Sequence, residues 1–359
     1  MARGESVWQR HAGHWRLCGD IDLIAISRDP HQAAVCRPAL HRALATALER
    51  ESLQADLSLS AGGIGFLERL SPSIFSFELL TVGEVLWGER TLLNHVPRCP
   101  IAAIPREDAW RLLNNRIVEL VAALAEGPGA AAALAMDKLY LDMTASWLLF
   151  AGGYALDTRT RLQQAEQLQD LHPEAVPWPR DSSWLPRLRA ATALRAPAGS
   201  RRTPDPAAAA GSTLPVGAAP ADNTPPRLAT ALIREAASDA RHLWRWELNR
   251  LGCTSLAQHA RSRPAGPGAA AWLAAAGAAG GLATRLRCAA QVLAAPTASP
   301  RYRVYAAASE WLWAYPQLTL AARQAASRLP LPPPGEASAL QVAATIGANY
   351  QLFVASTRR

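Results

Sequence analysis

Lysine is almost absent from this chain of 359 residues, in which Lys138 is the only lysine. The net charge of +8 therefore comes from arginine. A basic excess permits a polyanionic ligand, but a genome rich in G and C also enriches arginine, so charge alone does not choose between these explanations. The lone lysine excludes a G-x-x-x-x-G-K-[ST] phosphate loop, since Leu139 follows it. Residues 62–65 lack the spacing of a dinucleotide-binding fingerprint.

Paired cysteines are also missing, because no C-x-x-C occurs and no histidine lies at zinc-finger spacing. The five cysteines are scattered singly: Cys18, Cys36, Cys99, Cys253 and Cys288. We expect reduced thiols in a cytoplasmic protein. The first residues lack the apolar core of a signal peptide. The longest uncharged run, residues 264–284, contains proline, glycine and weakly apolar alanine, so no membrane span is expected.

The first hundred residues combine strand and helix patterns. Residues 20–27 form a short β-branched and leucine-rich run typical of a buried strand. Leucines at four-residue spacing predict a helix over residues 38–52, beginning at Pro38. Alternation predicts strands over residues 55–60 and 74–81, and residues 83–88 are a candidate hairpin arm. We expect an α+β fold with a mixed sheet and flanking helices.

The pattern becomes helical after Pro105. Helices are predicted from there to about residue 127, over 130–150 and over 158–170. The first has one apolar face, made of Trp110, Leu113, Ile117, Leu120, Val121 and Leu124. Residues 196–226 are rich in Pro, Gly, Ser and Ala and are predicted to be a disordered linker. The expected domains are residues 1–100 (α/β), 101–195 (helical) and 227–359 (a C-terminal all-α bundle).

Two alternating carboxylates stand out on the first predicted strand. Asp20 and Asp22 are two residues apart, so they share a face and suit divalent cations. Glu78 lies in the predicted apolar strand over 74–81, where an unpaired charge is costly. A metal shared with Asp20 and Asp22 would give Glu78 a partner. These three residues are the candidate catalytic and metal-binding set.

The segment Gly19-Asp20-Ile21-Asp22-Leu23, followed by a distant carboxylate, resembles the polymerase-β nucleotidyltransferase superfamily. The resemblance implies that Asp20 and Asp22 hold magnesium bound to a nucleoside triphosphate. It implies that Glu78 helps to activate the attacking hydroxyl. The family also has a Gly-Ser turn before this strand, often extended as G-S-x-A-R-G. Arg3 and Gly4 match the tail of that turn, so the Gly-Ser itself is expected upstream of Met1. The interval from Gly4 to Asp20 is longer than in the short form of the motif, which suggests an inserted hairpin over residues 7–17.

Lys138 has two open interpretations. In this family a lysine of the helical domain can contact nucleotide phosphates, and a compact ammonium suits that role. The alternative is an ion pair with Asp142 one turn later. Arg116 is a further candidate nucleotide-binding residue, facing a cleft between the α/β domain and the helices. Four C-terminal tryptophans are interpreted as core residues rather than base-stacking platforms: Trp244, Trp246, Trp311 and Trp313.

The resemblance implies magnesium-dependent transfer of a nucleoside monophosphate from an NTP to an unidentified hydroxyl or phosphate acceptor. The alternative is a catalytically degenerate member that acts as a nucleotide sensor or protein-interaction module. A third reading, addition of nucleotides to RNA ends, predicts steeply salt-dependent RNA binding. Nucleic acid is therefore a possible partner, although no RNA-binding module is recognised in the sequence.

Overall fold

A computed structural model describes residues 8–11, 14–195, 226–262, 268–294 and 299–357. These residues form two compact units. The sheet unit contains the described residues up to 108, together with 152–163 and 192–195. The helical unit contains residues 109–151 and 164–191 and the described residues from 226 onward. The linker predicted over 196–226 lies outside the described residues, except for Pro226, with which a helix begins.

The sheet has three strands in the order β1-β2-β3. They are β1 (Trp8–His11), β2 (His14–Ser27) and β3 (Leu53–Gly63). The first two pair antiparallel, from Trp8 opposite Leu17 to His11 opposite His14, which confirms the hairpin expected over residues 7–17. The pairing of β2 with β3 is parallel. The sheet and the predominance of helix elsewhere agree with the α+β class at this coarse level.

The helix α1 (Pro30–Arg50) connects β2 to β3 and packs on both strands. The expected start at Pro38 is wrong, because the helix begins at Pro30 and Pro38 lies inside it. The Asp29 side chain accepts a hydrogen bond from the His31 backbone N–H at 2.9 Å, and Pro30 occupies the first turn. Asp followed by Pro is thus a helix start here.

Residues 74–81 form a helix and not the expected strand. After the short α2 (Ile64–Glu68), α3 spans Ile74–Val82. Ser73 caps α3 by accepting from the Ser76 N–H at 3.0 Å, and the Asp108 carboxylate accepts from the Ile74 N–H at 2.8 Å. These bonds satisfy amide groups that the first turn of a helix leaves open. Residues 83–88 contain no strand, so the expected hairpin arm is also wrong.

The middle helices agree closely with the expectations. They are α4 (Arg106–Leu124), α5 (Ala130–Phe150) and α6 (Thr158–Leu171). The helix α7 (Trp184–Arg195) follows them and was not predicted. Every residue of the apolar face predicted for α4 is fully buried. Apolar periodicity therefore located the core side of this helix.

The C-terminal residues are helical where they are described, as expected. The helices are α8 (Pro226–Arg250), α9 (Leu256–Arg261), α10 (Gly268–Ala294), α11 (Pro300–Ala314), α12 (Leu320–Ser327) and α13 (Ala339–Thr357). α10 is kinked at Gly281, whose φ of 72° is unfavourable for residues with a side chain. Among the described residues, no helix combines the length and apolar character needed to cross a bilayer.

Two buried carboxylates connect helices of the helical unit. Asp239 accepts hydrogen bonds from the hydroxyls of Tyr140, at 3.1 Å, and Ser182. Glu247 is fully buried, and its Oε1 lies 2.6 Å from Ser146 Oγ. Burial raises the pKa of both carboxyl groups, and that of Glu247 rises well above its ordinary value. Burial disfavours the charged form of a carboxyl group, so both changes have the expected direction.

Candidate active site

The strand β2 carries Asp20 and Asp22 as the sequence predicted. The parallel register places Asp20 beside Asp56 of β3, and Asp22 beside Ser58. Residues two apart on a strand share a face, and register partners on neighbouring strands share it too. Positions 20, 22 and 56 therefore lie on one face of the β2–β3 pair. Asp22 is exposed, whereas the side chains of Asp20 and Asp56 lie outside the described part of the structure.

Asp56 is a candidate that the sequence analysis missed. It lies in the segment that was correctly predicted as a strand, and its neighbours alternate in the same way as those of Asp20. Aligning Asp20-Ile21-Asp22-Leu23 with Asp56-Leu57-Ser58-Leu59 would have suggested it. That alignment follows only when the two strands are known to be parallel neighbours in this register.

Glu78 lies on α3, so the strand position expected for it is wrong. Its carboxylate accepts a hydrogen bond from the Tyr154 hydroxyl and lies 3.8 Å from the Arg161 guanidinium. Arg161 is largely buried and also donates to the Ala155 and Leu156 carbonyls. Glu78 thus has a cationic partner within the sheet unit. The argument that its charge needs a metal no longer holds, although its proposed role in catalysis stays a prediction.

The remaining candidate residues are Arg3, Gly4, Arg116 and Lys138. Arg3 and Gly4 lie outside the described residues. Arg116 and Lys138 belong to the helical unit, on α4 and α5. Asp20 and Asp22 belong to the sheet unit.

Arg116 is held by two carboxylates of its own unit. Its Nε donates to Asp142 and its Nη1 donates to Glu119. Burial alone would lower the pKa of Arg116, but the charges of Asp142 and Glu119 raise it above the ordinary range. Asp142 is the residue expected to pair with Lys138, and it binds Arg116. Lys138 is half-buried on α5, one turn before Asp142.

The donor chemistry at positions 20, 22 and 56 suits magnesium. Carboxylate oxygens are the ligands that this small, hard cation prefers. Among the side chains that the structure describes, no group of three potential metal ligands lies close together. That finding does not extend to Asp20 and Asp56. The grouping of Asp20, Asp22 and Asp56 therefore rests on the backbone register of β2 and β3.

Comparison with known proteins found no match among protein-family models, curated proteins or solved structures. The likeness to the nucleotidyltransferase superfamily consequently depends on the sequence residues quoted above.

Proposed function

We propose that the sheet unit binds magnesium and a nucleoside triphosphate through Asp20, Asp22 and Asp56, and transfers the nucleoside monophosphate to a hydroxyl or phosphate acceptor. The observation that carries the proposal is the register of β2 and β3, with Asp20 paired to Asp56 and Asp22 two residues further on. This assigns the third carboxylate to Asp56. Arg3, Gly4, Lys138 and Arg116 remain proposed nucleotide contacts, on the resemblance alone.

Charge repulsion supports a cation at these positions. Like charges at adjacent positions of neighbouring strands repel one another, which destabilises the sheet. Asp20 and Asp56 form such a pair, and Asp22 adds a third negative charge on the same face. A divalent cation bound by all three would turn this repulsion into attraction. We therefore expect magnesium to stabilise the sheet unit against unfolding.

The reaction would use the carboxylates in two ways. Bound magnesium would neutralise the triphosphate charge and favour in-line attack. Asp20 and Asp22 would hold the triphosphate in place through the metal. The acceptor oxygen would bond to the α-phosphorus, while the bond to the bridging β-phosphate oxygen breaks and pyrophosphate leaves. For a hydroxyl acceptor, Asp56 would take the proton, which is general-base catalysis.

The experiment compares isosteric variants of the two rival third carboxylates. Calorimetric titration with magnesium and each NTP, together with pyrophosphate release, is measured for Asp56→Asn, Glu78→Gln and the double variant Asp20→Asn/Asp22→Asn. We expect the double variant and Asp56→Asn to lose magnesium-dependent NTP binding. We expect their turnover to fall on the order of a thousandfold, about 4 kcal/mol of transition-state stabilisation. Glu78→Gln should retain the binding and lose only thermal stability, because its Arg161 pair is weakened.

The outcomes separate the possible roles of the protein. Binding that all three variants retain would refute the metal site. Loss on Glu78→Gln but not on Asp56→Asn would return the third-carboxylate role to Glu78. NTP binding without pyrophosphate release, with every acceptor class supplied, would identify a nucleotide sensor rather than a transferase.

A further inference from the structure

A basic groove lies in the helical unit, bordered by α8, α9, α11 and α12, and has a volume of about 700 Å³. Four arginines line it: Arg241, Arg245, Arg303 and Arg328. Glu310 is the only carboxylate among the lining residues. Arg241 and Arg245 are exposed and form no ion pair with a described carboxylate. The groove therefore presents an excess of positive charge.

Two indole rings border the same groove. Trp244 and Trp313 are half-buried, and their ring centroids lie 6.3 Å apart at an interplanar angle of 69°. Trp244 is held in place by a hydrogen bond from its Nε1 to Asn114 Oδ1, at 3.0 Å. These two tryptophans are not wholly core residues as the sequence suggested, whereas Trp311 is buried as expected. The groove combines fixed aromatic surface with guanidinium groups.

A buried hydroxyl at the groove lacks a partner. Ser309 lines the groove on α11 and is only 3% exposed, and its Oγ has no hydrogen-bond partner among the described residues. A buried hydroxyl without a partner costs on the order of 1–3 kcal/mol, so such groups are rare unless something else satisfies them. A polar occupant of the groove would supply the missing hydrogen-bond partner.

The positive charge continues beyond the groove. A second, smaller concavity of about 340 Å³ shares Arg241 and Trp313 with it and adds Arg234. Arg234, Arg241 and Arg245 lie seven and four residues apart on α8, so they follow one face of the helix. The two concavities share Arg241 and Trp313, so they are adjacent along α8. An extended polyanion can contact more of these arginines than a single small anion can.

We propose that this groove binds single-stranded nucleic acid, with phosphates on the arginines and a base against Trp244 or Trp313. Arginine-lined grooves with exposed aromatic rings are the usual means of binding single strands, because every base has a face that can stack. An acidic polypeptide would use the arginines but leave the indole rings without a matching group. The inference uses residues of the helical unit only and does not depend on the proposed function of the sheet unit.

The first test measures how binding depends on salt. A fluorescent single-stranded RNA of twelve nucleotides is titrated with the full chain between 50 and 200 mM salt. Four phosphate contacts on a single strand predict a log–log slope of about −3, and hence an affinity loss of about fiftyfold over this range. Arg241→Gln/Arg245→Gln should weaken binding and make the slope shallower by about 1.4. Arg180→Gln, which removes an exposed arginine of the same unit outside the groove, should change the slope little.

The second test separates stacking from charge. Trp313→Leu should weaken binding of the RNA by on the order of tenfold, without changing the salt slope. Trp87→Leu is the matched control, since Trp87 is 94% exposed and belongs to the sheet unit. Ser309→Ala should weaken binding without lowering the melting temperature of the free protein. A merely structural role for the hydroxyl predicts the reverse.

Competition identifies the class of ligand. Unlabelled single-stranded DNA or RNA should displace the probe at lower concentration than free nucleotides, duplex DNA or polyglutamate. Displacement by polyglutamate as effective as that by RNA would overturn base recognition. If free nucleotide competes as well as the oligonucleotide, the groove is a mononucleotide pocket and the proposal of an extended ligand is wrong. Unchanged affinity in the arginine double variant, with an unchanged melting temperature, would refute the groove as the site.

Discussion

Glu247 provides the sharpest test of how the helical unit is stabilised. Ser146 Oγ lies 2.8 Å from the Ala109 carbonyl oxygen and 2.6 Å from Glu247 Oε1. The serine hydroxyl has one proton, so it can donate a full two-centre hydrogen bond to only one of these oxygens. Both contacts can be full two-centre hydrogen bonds if Ser146 donates to Ala109 and a protonated Glu247 donates to Ser146. The geometry thus agrees with the raised pKa of this fully buried carboxyl group.

The substitution Glu247→Gln should remove a pH dependence of stability. In the wild type the folded state retains a proton that the unfolded state releases above its ordinary pKa near 4.5. Stability should therefore decrease as pH rises above about 4.5, by up to about 1.4 kcal/mol per pH unit, until the folded pKa is reached. The glutamine amide can replace the donated hydrogen bond without titrating. We expect the variant to match the wild type near pH 4.5 and to exceed it at pH 8.

Urea unfolding monitored by tryptophan fluorescence at pH 4.5, 6, 7 and 8 measures the effect. Glu126→Gln provides the control, because it removes the same charge at an exposed position of the helical unit and should keep the wild-type pH slope. Parallel pH profiles for the wild type and Glu247→Gln would show that Glu247 is ionised in the folded protein. The hydrogen-bond argument would then be wrong.

Three further substitutions test other features of the fold by their effect on the free energy of unfolding. Tyr140→Phe removes a buried hydrogen bond to Asp239 and should cost about 1–3 kcal/mol, and a loss below 0.5 kcal/mol would contradict this. Ser73→Ala removes the side-chain cap of α3 and should cost about 1 kcal/mol, whereas Ser73→Asp should retain the cap. Gly347→Ala would place a methyl group 2.9 Å from the Ala122 Cβ and should cost about 1–3 kcal/mol. Adding Ala122→Gly should recover most of that loss, and no recovery would exclude the clash as its cause.

Local sequence signals located most of the middle helices but not the third helix of the sheet unit. α4 was predictable because its apolar residues recur at helical spacing and acidic residues occupy its first turn. Residues 74–81 alternate like a strand, yet they form α3. Its first turn depends on Ser73 and on the distant carboxylate of Asp108. A contact with a residue far along the chain cannot be read from a local pattern.

Some residues of the candidate site could likewise be identified from a local sequence pattern, and others could not. Asp20 and Asp22 were predictable because alternation on one strand is local. Asp56 was missed because its place beside Asp20 depends on the pairing of β2 with β3 across α1. Glu78 was proposed as a metal ligand because the sequence around it shows no partner for its charge. In the structure its partners are Tyr154 and Arg161, which come from a later part of the chain.

Because the chain has a single lysine, cleavage by a lysine-specific protease can report local opening of the structure around it. A lysine-specific protease has one possible cut, after Lys138, which would yield residues 1–138 and 139–359. Lys138 lies within the helix α5, and the next two residues, Leu139 and Tyr140, are buried. Proteases act on transiently opened chain, so the rate of this cut follows how often α5 opens. A gel with two product bands therefore measures the opening of α5 without any label or substitution.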